Sequence, residues 1–156
     1  MLPEIRLNGW GYCLPGDAVS NEALAGRLGV DRDLGAETGI AERYFSAPGE
    51  GPSGLAAIAA GPAMAKAGVA AEDLSMLVFA TTTPDVAFPG SACFLQEKLA
   101  APTVGALDLR AQSAGFVAAL DMAAALCEIP AAGTSPEPIL LATAEVFSSG
   151  LDLSPS

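Results

Sequence analysis

The stretch VGALDLRAQSAGFVAALDMAAALCE, residues 104–128, decides the fold class of this 156-residue chain. It opens with a short apolar run over residues 104–109, which is typical of a buried strand, and continues as a long apolar helix over residues 113–128. A sharp turn between them carries Ser113, and its hydroxyl is expected at the positive end of the helix dipole. The local pattern leaves two interpretations open, a nucleophile activated by the helix terminus or an ordinary N-cap serine.

Strands and helices alternate on both sides of this stretch. Strands are predicted over residues 4–12, 74–80, 104–109 and 139–146, and helices over residues 21–28, 54–67, 91–99 and 113–128. Ser20 is the predicted N-cap of the first helix, and Pro62 is expected to kink or split the second. Residues 31–44 are predicted to be irregular, and residues 131–138 to form a Pro/Gly-rich loop. The predicted class is α/β, with a mostly parallel sheet, helices on both faces and a single domain.

Charge and composition exclude several function classes. A net charge of −11 argues against nucleic acid and anionic membranes as partners, because their phosphates would repel this surface. The chain has no histidine, so on its own it offers no Ser-His-Asp triad, Cys-His pair or histidine metal ligand. Cys13, Cys93 and Cys127 form no CxxC pair and are expected to be reduced thiols. With no signal-peptide pattern and no run of about 20 uncharged apolar residues, we expect a cytoplasmic protein without metal or bound cofactor.

The apolar content is high for a small domain. Hydrophobic residues make up 51% of the chain, and the mean hydropathy is +0.43. The helix over residues 113–128 is apolar on nearly every side, and such a helix is normally buried all round. A single small sheet leaves nothing in the chain to cover its second face. We therefore expect another chain to supply a further layer.

Short motifs spaced along nearly the whole chain carry a family resemblance. They are GWGYCLP at residues 9–15, VSN at 19–21, TGIAER at 38–43, LVFATTTPD at 77–85, FPGSAC at 88–93, LDLRAQSAGF at 107–116 and ATAE at 142–145. In this order and at this spacing they resemble the N-terminal half of the β-ketoacyl-ACP synthase III family of the thiolase superfamily.

The resemblance implies a fold and a reaction. The family folds as two similar α/β halves in five layers, and a catalytic cysteine in the first half takes an acyl group from a CoA or carrier-protein thioester. A histidine and an asparagine of the second half assist decarboxylation and Claisen condensation. This chain would supply the first half without its last strand. We therefore expect a second polypeptide that brings the C-terminal half, self-association into a dimer of heterodimers, and acyl carrier protein as a further partner.

The resemblance also implies roles for individual residues. Ser113 falls at the position of the catalytic cysteine, where a hydroxyl needs a neighbouring base to attack a thioester. Phe88 falls where the family dimer inserts a phenylalanine into the partner's acyl tunnel, although ordinary packing is an alternative. Thr81 and Thr82, at the end of a buried strand, are candidates to line the tunnel. Gln112 precedes the nucleophile position and is a candidate to orient it by hydrogen bonding.

One departure from the family concerns the acyl donor. Asp33 and Glu37 stand where the family has an adenine-stacking tryptophan and a phosphate-binding arginine, and carboxylates repel phosphate. Either this segment is a solvated acidic face, or the thioester is carried by a carrier protein and not by CoA. Two functions stay open. The chain is a subunit of a split or heteromeric ketoacyl-synthase-III-like acyltransferase of fatty acid or polyketide biosynthesis, or it is a non-catalytic subunit that shapes a partner's acyl tunnel.

Overall fold

A computed structural model describes residues 5–128 and 138–154 of the chain. The described residues fall into two compact units, the first within Met1–Cys13 and Gly51–Glu145 and the second within Leu14–Glu50 and Val146–Ser156. Of the loop predicted over residues 131–138, all but Pro138 lies outside the described residues. In chain order the elements are β1 (Val19–Ser20), α1 (Asn21–Leu28), α2 (Leu34–Thr38), β2 (Glu42–Arg43), α3 (Pro52–Ala67), β3 (Met76–Ala80), α4 (Ser91–Lys98), β4 (Gly105–Leu109), α5 (Gly115–Cys127) and β5 (Ile139–Thr143).

The first unit is built on a three-stranded parallel sheet in the order β4-β3-β5. Successive side chains of β3 point to opposite faces, and both faces are covered by helices. Phe79 packs on one face with residues of α3 and α4, whereas Val78 and Ala80 pack on the other with Ala119 of α5. The predicted α/β class, with a parallel sheet between helices, is confirmed. The expectation that nothing in the chain covers the second face of the sheet is wrong, because α5 packs on it. The fully apolar run of β3 follows from burial on both sides.

The expected burial of the strand over residues 104–109 is wrong. Among the described residues β4 pairs with β3 alone and so lies at the edge of the sheet. Leu107 is opposite Val78 in the register and faces the same side, yet it is 37% exposed. The reason is that α5 packs over β3 and β5. An apolar run therefore predicted the strand correctly but not its exposed edge.

The strand predicted over residues 4–12 is also wrong for its described part, residues 5–12, which forms no ladder with other described residues. This segment packs instead on the backbone of α3. A Cβ at Gly9 or Gly11 would collide with the carbonyl oxygens of Ala63 and Ala59 respectively, so glycine is needed for the close approach. The strand prediction fails here because this segment contacts a helix and pairs with no described strand.

The helix predictions need smaller corrections. The helix over residues 54–67 is not split, because α3 runs unbroken through Pro62. Pro62 is exposed, so the carbonyl that loses its intrahelical bond can be hydrated. The helix predicted over residues 113–128 begins later, at Gly115, behind a 3-10 turn. The strands predicted over residues 74–80 and 139–146 are each shorter, as β3 and β5.

The second unit holds two short antiparallel strands, β1 and β2, and the helices α1 and α2. The prediction of Ser20 as N-cap of α1 is confirmed, since its hydroxyl accepts the Ala23 N–H at 3.2 Å. The prediction of irregular structure over residues 31–44 is wrong, because this range holds α2 and β2. Arg43 of β2 donates hydrogen bonds to Asn21 and to the Thr38 hydroxyl, and these bonds tie the elements of the unit together.

Candidate functional site

The turn between β4 and α5 places Ser113 at the carboxyl edge of the sheet. The strand ends at Leu109, a 3-10 turn spans Gln112–Ala114, and α5 begins at Gly115. Gly115 is buried, and a Cβ there would lie 3.3 Å from the Cβ of Ala80 at the end of β3. The first turn of α5 is thereby held against the central strand. In parallel α/β sheets this edge is where ligands usually bind.

The Ser113 hydroxyl is exposed and forms no hydrogen bond with the residues that the structure describes. The N-cap residue of α5 is Ala114, and no side chain caps this helix. The interpretation of Ser113 as an ordinary N-cap is therefore wrong. The Gly115 N–H donates to the Gln112 carbonyl oxygen, and the positive end of the α5 dipole favours an anion developing nearby.

Gln112 adopts an unusual backbone conformation directly before Ser113. Its φ is +43°, in the left-handed region that side chains other than glycine rarely adopt, at a cost on the order of 1 kcal/mol. Residues held in this way cluster at functional sites. The predicted hydrogen bond from the Gln112 side chain to Ser113 is not formed among the described residues. Gln112 shapes the turn through its backbone.

Thr81 and Thr82 bind a carboxylate that follows the neighbouring strand. Glu145, two residues beyond β5, accepts the Thr82 N–H and the Thr82 hydroxyl, each at 2.9 Å, and the Thr83 hydroxyl at 2.8 Å. The hydroxyl of Thr81, which is buried, lies 3.5 Å from the same carboxylate. Glu145 thus joins the end of β3 to the end of β5. Whether these threonines line an acyl tunnel stays a prediction.

Phe88 lies on the surface of the first unit. It is 91% exposed, on the segment between β3 and α4, and its peptide bond to Pro89 is cis. Val86 on the same segment is also exposed. Phe88 is therefore not a core residue of the described chain, and its place in a tunnel stays a prediction.

The sequence pattern does not single out the three carboxylates that organise this edge of the sheet. Besides Glu145 these are Asp85, which bonds the start of α3, and Asp108, which bonds the start of α4. Their signal in the sequence is weak: each is an acidic residue in or shortly after a strand of the parallel sheet. The residues that these carboxylates bond lie 16 or more positions away in the chain.

The two acidic positions that depart from the family have local partners. Asp33 is the N-cap of α2 and accepts the Ala36 N–H at 2.9 Å. Glu37 forms a salt bridge with Arg32, which donates to both of its carboxylate oxygens. Arg32 is the arginine nearest in sequence to the position where the family binds phosphate, and its positive charge is already paired with Glu37.

The described residues contain neither a metal-binding cluster nor a membrane-spanning helix. No group of three or more cysteine, aspartate or glutamate side chains there has the arrangement of a metal site. None of the described helices is both long enough and apolar enough to cross a bilayer. Cys93 is exposed, Cys13 and Cys127 are partly buried, and all three are free thiols.

The Glu145 contacts predict a measurable loss of stability. Glu145→Gln removes the charge from hydrogen bonds to Thr82 and Thr83, so we expect a loss of about 1 kcal/mol in the free energy of unfolding. Urea unfolding followed by circular dichroism measures it. Glu97→Gln is the matched control, because Glu97 is an exposed residue of α4 whose carboxylate bonds no described residue. Equal midpoints for the two variants would contradict the role given to Glu145.

Comparisons with known proteins agree with this architecture. No family model matches the chain. A curated β-ketoacyl-[acyl-carrier-protein] synthase III of Xylella fastidiosa strain 9a5c is 43% identical over 119 residues, which are 76% of this chain and 37% of that protein. The crystal structure of 3-oxoacyl-[acyl-carrier-protein] synthase III from Aquifex aeolicus VF5 matches with a TM-score of 0.82 and 31% identity, over 94% of this chain and 46% of that one.

A solved enzyme of polyketide synthesis is similar as well. The priming β-ketosynthase of the R1128 polyketide biosynthetic pathway matches with a TM-score of 0.82 and 28% identity, over 95% of this chain and 43% of that one. This chain spans less than half the length of each of these three proteins. The homologues and structural neighbours of the chain are therefore β-ketoacyl-ACP synthase III proteins of the thiolase superfamily, and its thiolase-like α/β fold is an N-terminal half of theirs.

Proposed function

We propose that the chain is the nucleophile-bearing subunit of a split acyltransferase that resembles β-ketoacyl-ACP synthase III. Ser113 Oγ accepts the acyl group of a thioester. The observation that carries this proposal is the position of the exposed Ser113 hydroxyl, on the strained turn between β4 and α5 and directly before the start of that helix. The 43% identity to a curated synthase supports the same chemistry.

The proposed step is an acyl transfer from sulfur to oxygen. Ser113 Oγ attacks the thioester carbonyl, and a base takes the hydroxyl proton. The tetrahedral oxyanion collapses as the carbon–sulfur bond breaks, and the thiolate leaves with the proton. The positive end of the α5 dipole stabilises the oxyanion. Because the chain contains no histidine and no described side chain hydrogen-bonds Ser113, we assign the base to the second polypeptide, whose expected histidine and asparagine would also assist condensation.

Exposed apolar side chains around α5 support a second polypeptide. Phe116 and Val117 in the first turn of α5 are 51% and 60% exposed, and Leu107 of β4 faces the same side of the sheet. Among the described residues β5 pairs with β3 alone, so its other edge is open to a further strand. The second polypeptide would cover α5 and complete the sheet. Two such heterodimers would then associate, with Phe88 of one reaching the acyl tunnel of the other.

The acyl donor is proposed to be a carrier-protein thioester in preference to acyl-CoA. The acidic side chains of Asp33 and Glu37 and the neutralised Arg32 leave a poor site for the phosphates of CoA. Since the chain carries a net charge of −11, basic residues that dock an acidic carrier protein would lie on the second polypeptide.

The second candidate is a non-catalytic subunit. It is favoured by one observation, namely that no described side chain hydrogen-bonds Ser113 as a base would. In that case the exposed Phe88 shapes the acyl tunnel of a catalytic partner, and the chain itself is never acylated.

Peptide mass spectrometry tests the proposal. The complex isolated from cells is incubated with acyl-carrier protein or with acyl-CoA, quenched with acid and digested. An acyl adduct on the peptide that contains Ser113, formed faster from the carrier protein, is the expected result. A complex that turns over acyl thioester without any adduct on this peptide would contradict the proposal and favour the second candidate.

A further inference from the structure

The segment that carries Phe88 is fastened to the start of α3 through Asp85. Asp85 Oδ1 accepts the Ser53 hydroxyl at 2.7 Å, and Oδ2 accepts the Ser53 N–H at 3.3 Å. Ser53 is fully buried, whereas the N-cap residue of α3 is Gly51, which has no side chain to cap the helix. A Cβ at Gly51 would collide with the Asp85 carboxylate. The Asp85 carboxylate therefore lies where a capping side chain would lie, and it accepts an N–H group of the first helical turn as such a side chain would.

The same segment is fastened to the start of α4. The backbone N–H of Asp85 donates to the hydroxyl of Ser91 at 3.1 Å, and Ser91 is also fully buried. The N-cap residue of α4 is Gly90, again without a capping side chain. Asp108 of β4 supplies the cap, with its two carboxylate oxygens 3.3 and 3.2 Å from the Ala92 nitrogen. A Cβ at Gly90 would overlap this carboxylate.

We propose that Asp85 and Asp108 are positioning residues that hold residues 86–90 in one conformation and thereby present Phe88. Both helices to which this segment is bonded have a glycine as N-cap residue, and a carboxylate from elsewhere in the chain caps each of them. One end of the segment, Asp85, is bonded to the fully buried side chains of Ser53 and Ser91, and the other end leads directly into α4. Phe88 between the two ends is 91% exposed. An aromatic side chain held on a fixed loop loses little conformational entropy when a partner covers it, which favours tight binding.

This inference deepens the proposed function, because the contact of Phe88 with a partner's acyl tunnel rests on that proposal. The fixed conformation of residues 86–90 does not rest on it. The two parts therefore have separate tests, one on the chain itself and one on the assembled complex.

Amide hydrogen exchange on the 156-residue chain tests the first part. The amide of residue 85 reports opening of the segment, because it donates to Ser91 at the far end of residues 86–90. In Asp85→Ala we expect this amide to exchange about tenfold faster than in the unaltered chain, since the carboxylate that fastens residue 85 to Ser53 is lost. The amides of the central strand β3 should keep their protection, which shows that the sheet is intact. Glu97→Gln is the control for removal of an acidic charge from the same region and should leave exchange unchanged.

Two further variants keep the test decisive if Asp85→Ala does not fold. Ser53→Ala removes only the partner hydroxyl, and Asp108→Asn weakens only the α4 cap, and each should speed exchange of the residue 85 amide by a smaller factor. Exchange of this amide at the unaltered rate in all of the folded variants would overturn the proposal.

The second part is tested on the assembled complex. The Asp85→Ala variant should raise the KM for the acyl thioester severalfold while the maximal rate of Ser113 acylation is kept, and Asp85→Glu, which retains the carboxylate, should restore part of the lost affinity. Faster exchange together with an unchanged KM would retain the positioning role of Asp85 and overturn the link to the acyl tunnel. Loss of Ser113 acylation in the unaltered complex would be a failure of the proposed function and would leave the exchange result standing.

Discussion

Replacing Ser113 by alanine should lower acyl transfer by the assembled complex at least about 1,000-fold, while the complex itself stays intact. The change removes one oxygen atom from an exposed residue that forms no hydrogen bond with the described chain, so the cost in stability should be small. Turnover is measured as release of free thiol from the acyl thioester, and assembly by size-exclusion chromatography.

Ser113→Cys sharpens this prediction. A thiol is more acidic and more nucleophilic than a hydroxyl, and a helix N-terminus lowers its pKa further, so the variant should acylate faster than the unaltered chain if an acyl intermediate forms.

The matched control for both substitutions is Ser154→Ala. The hydroxyl of Ser154 donates to Asp152 at 2.6 Å and, with the Ser154 N–H, holds the pKa of that carboxyl below its usual value, so the control also removes a serine hydroxyl from an exposed residue. The control should turn over normally. Unchanged turnover in Ser113→Ala would instead identify the chain as a non-catalytic subunit.

The second large effect is expected at the exposed face of α5. Val117→Asp should weaken the association with the second polypeptide at least about 100-fold, because a carboxylate would be buried in an apolar interface without a partner. The side chain of Val117 is 60% exposed in the described chain, so the substitution should leave the free subunit folded. Titration of the labelled subunit with the second polypeptide measures the dissociation constant.

Ile58→Asp is the control for this experiment. Ile58 lies on α3, on the opposite face of the sheet, and is 59% exposed, so the two variants place the same charge at equally exposed apolar positions. We expect Ile58→Asp to bind normally. Equal affinities for the two variants would show that the α5 face is not the site of association.

Much of the fold follows from local sequence signals. The run that forms β3 is apolar throughout because the strand is buried on both faces. Such a run can be recognised in the sequence without knowing which helices cover the strand. The Ser20 cap of α1 is equally local, since donor and acceptor lie three residues apart. Ser113 was placed correctly between a strand and a helix for the same reason.

Contacts between distant residues could not be predicted in this way. The strand predicted at residues 4–12 is an example, because residues 5–12 pack instead on α3 through the close approach of Gly9 and Gly11 to that helix. Asp85 and Ser53 are 32 residues apart, and Glu145 and Thr82 are 63 apart. The left-handed conformation of Gln112 has no sequence signal, because glutamine seldom adopts it.

Native mass spectrometry of the protein, isolated from cells that express it with its neighbouring genes, tests the central claim most directly. The chain has a mass of 15.6 kDa, and we expect it in a larger particle with a second polypeptide, as a heterodimer or a dimer of two heterodimers. Acidic dissociation of that particle should release the two polypeptides separately. A single monodisperse monomer of 15.6 kDa would contradict the account and would leave the chain with the fold of the synthases but without their condensing chemistry.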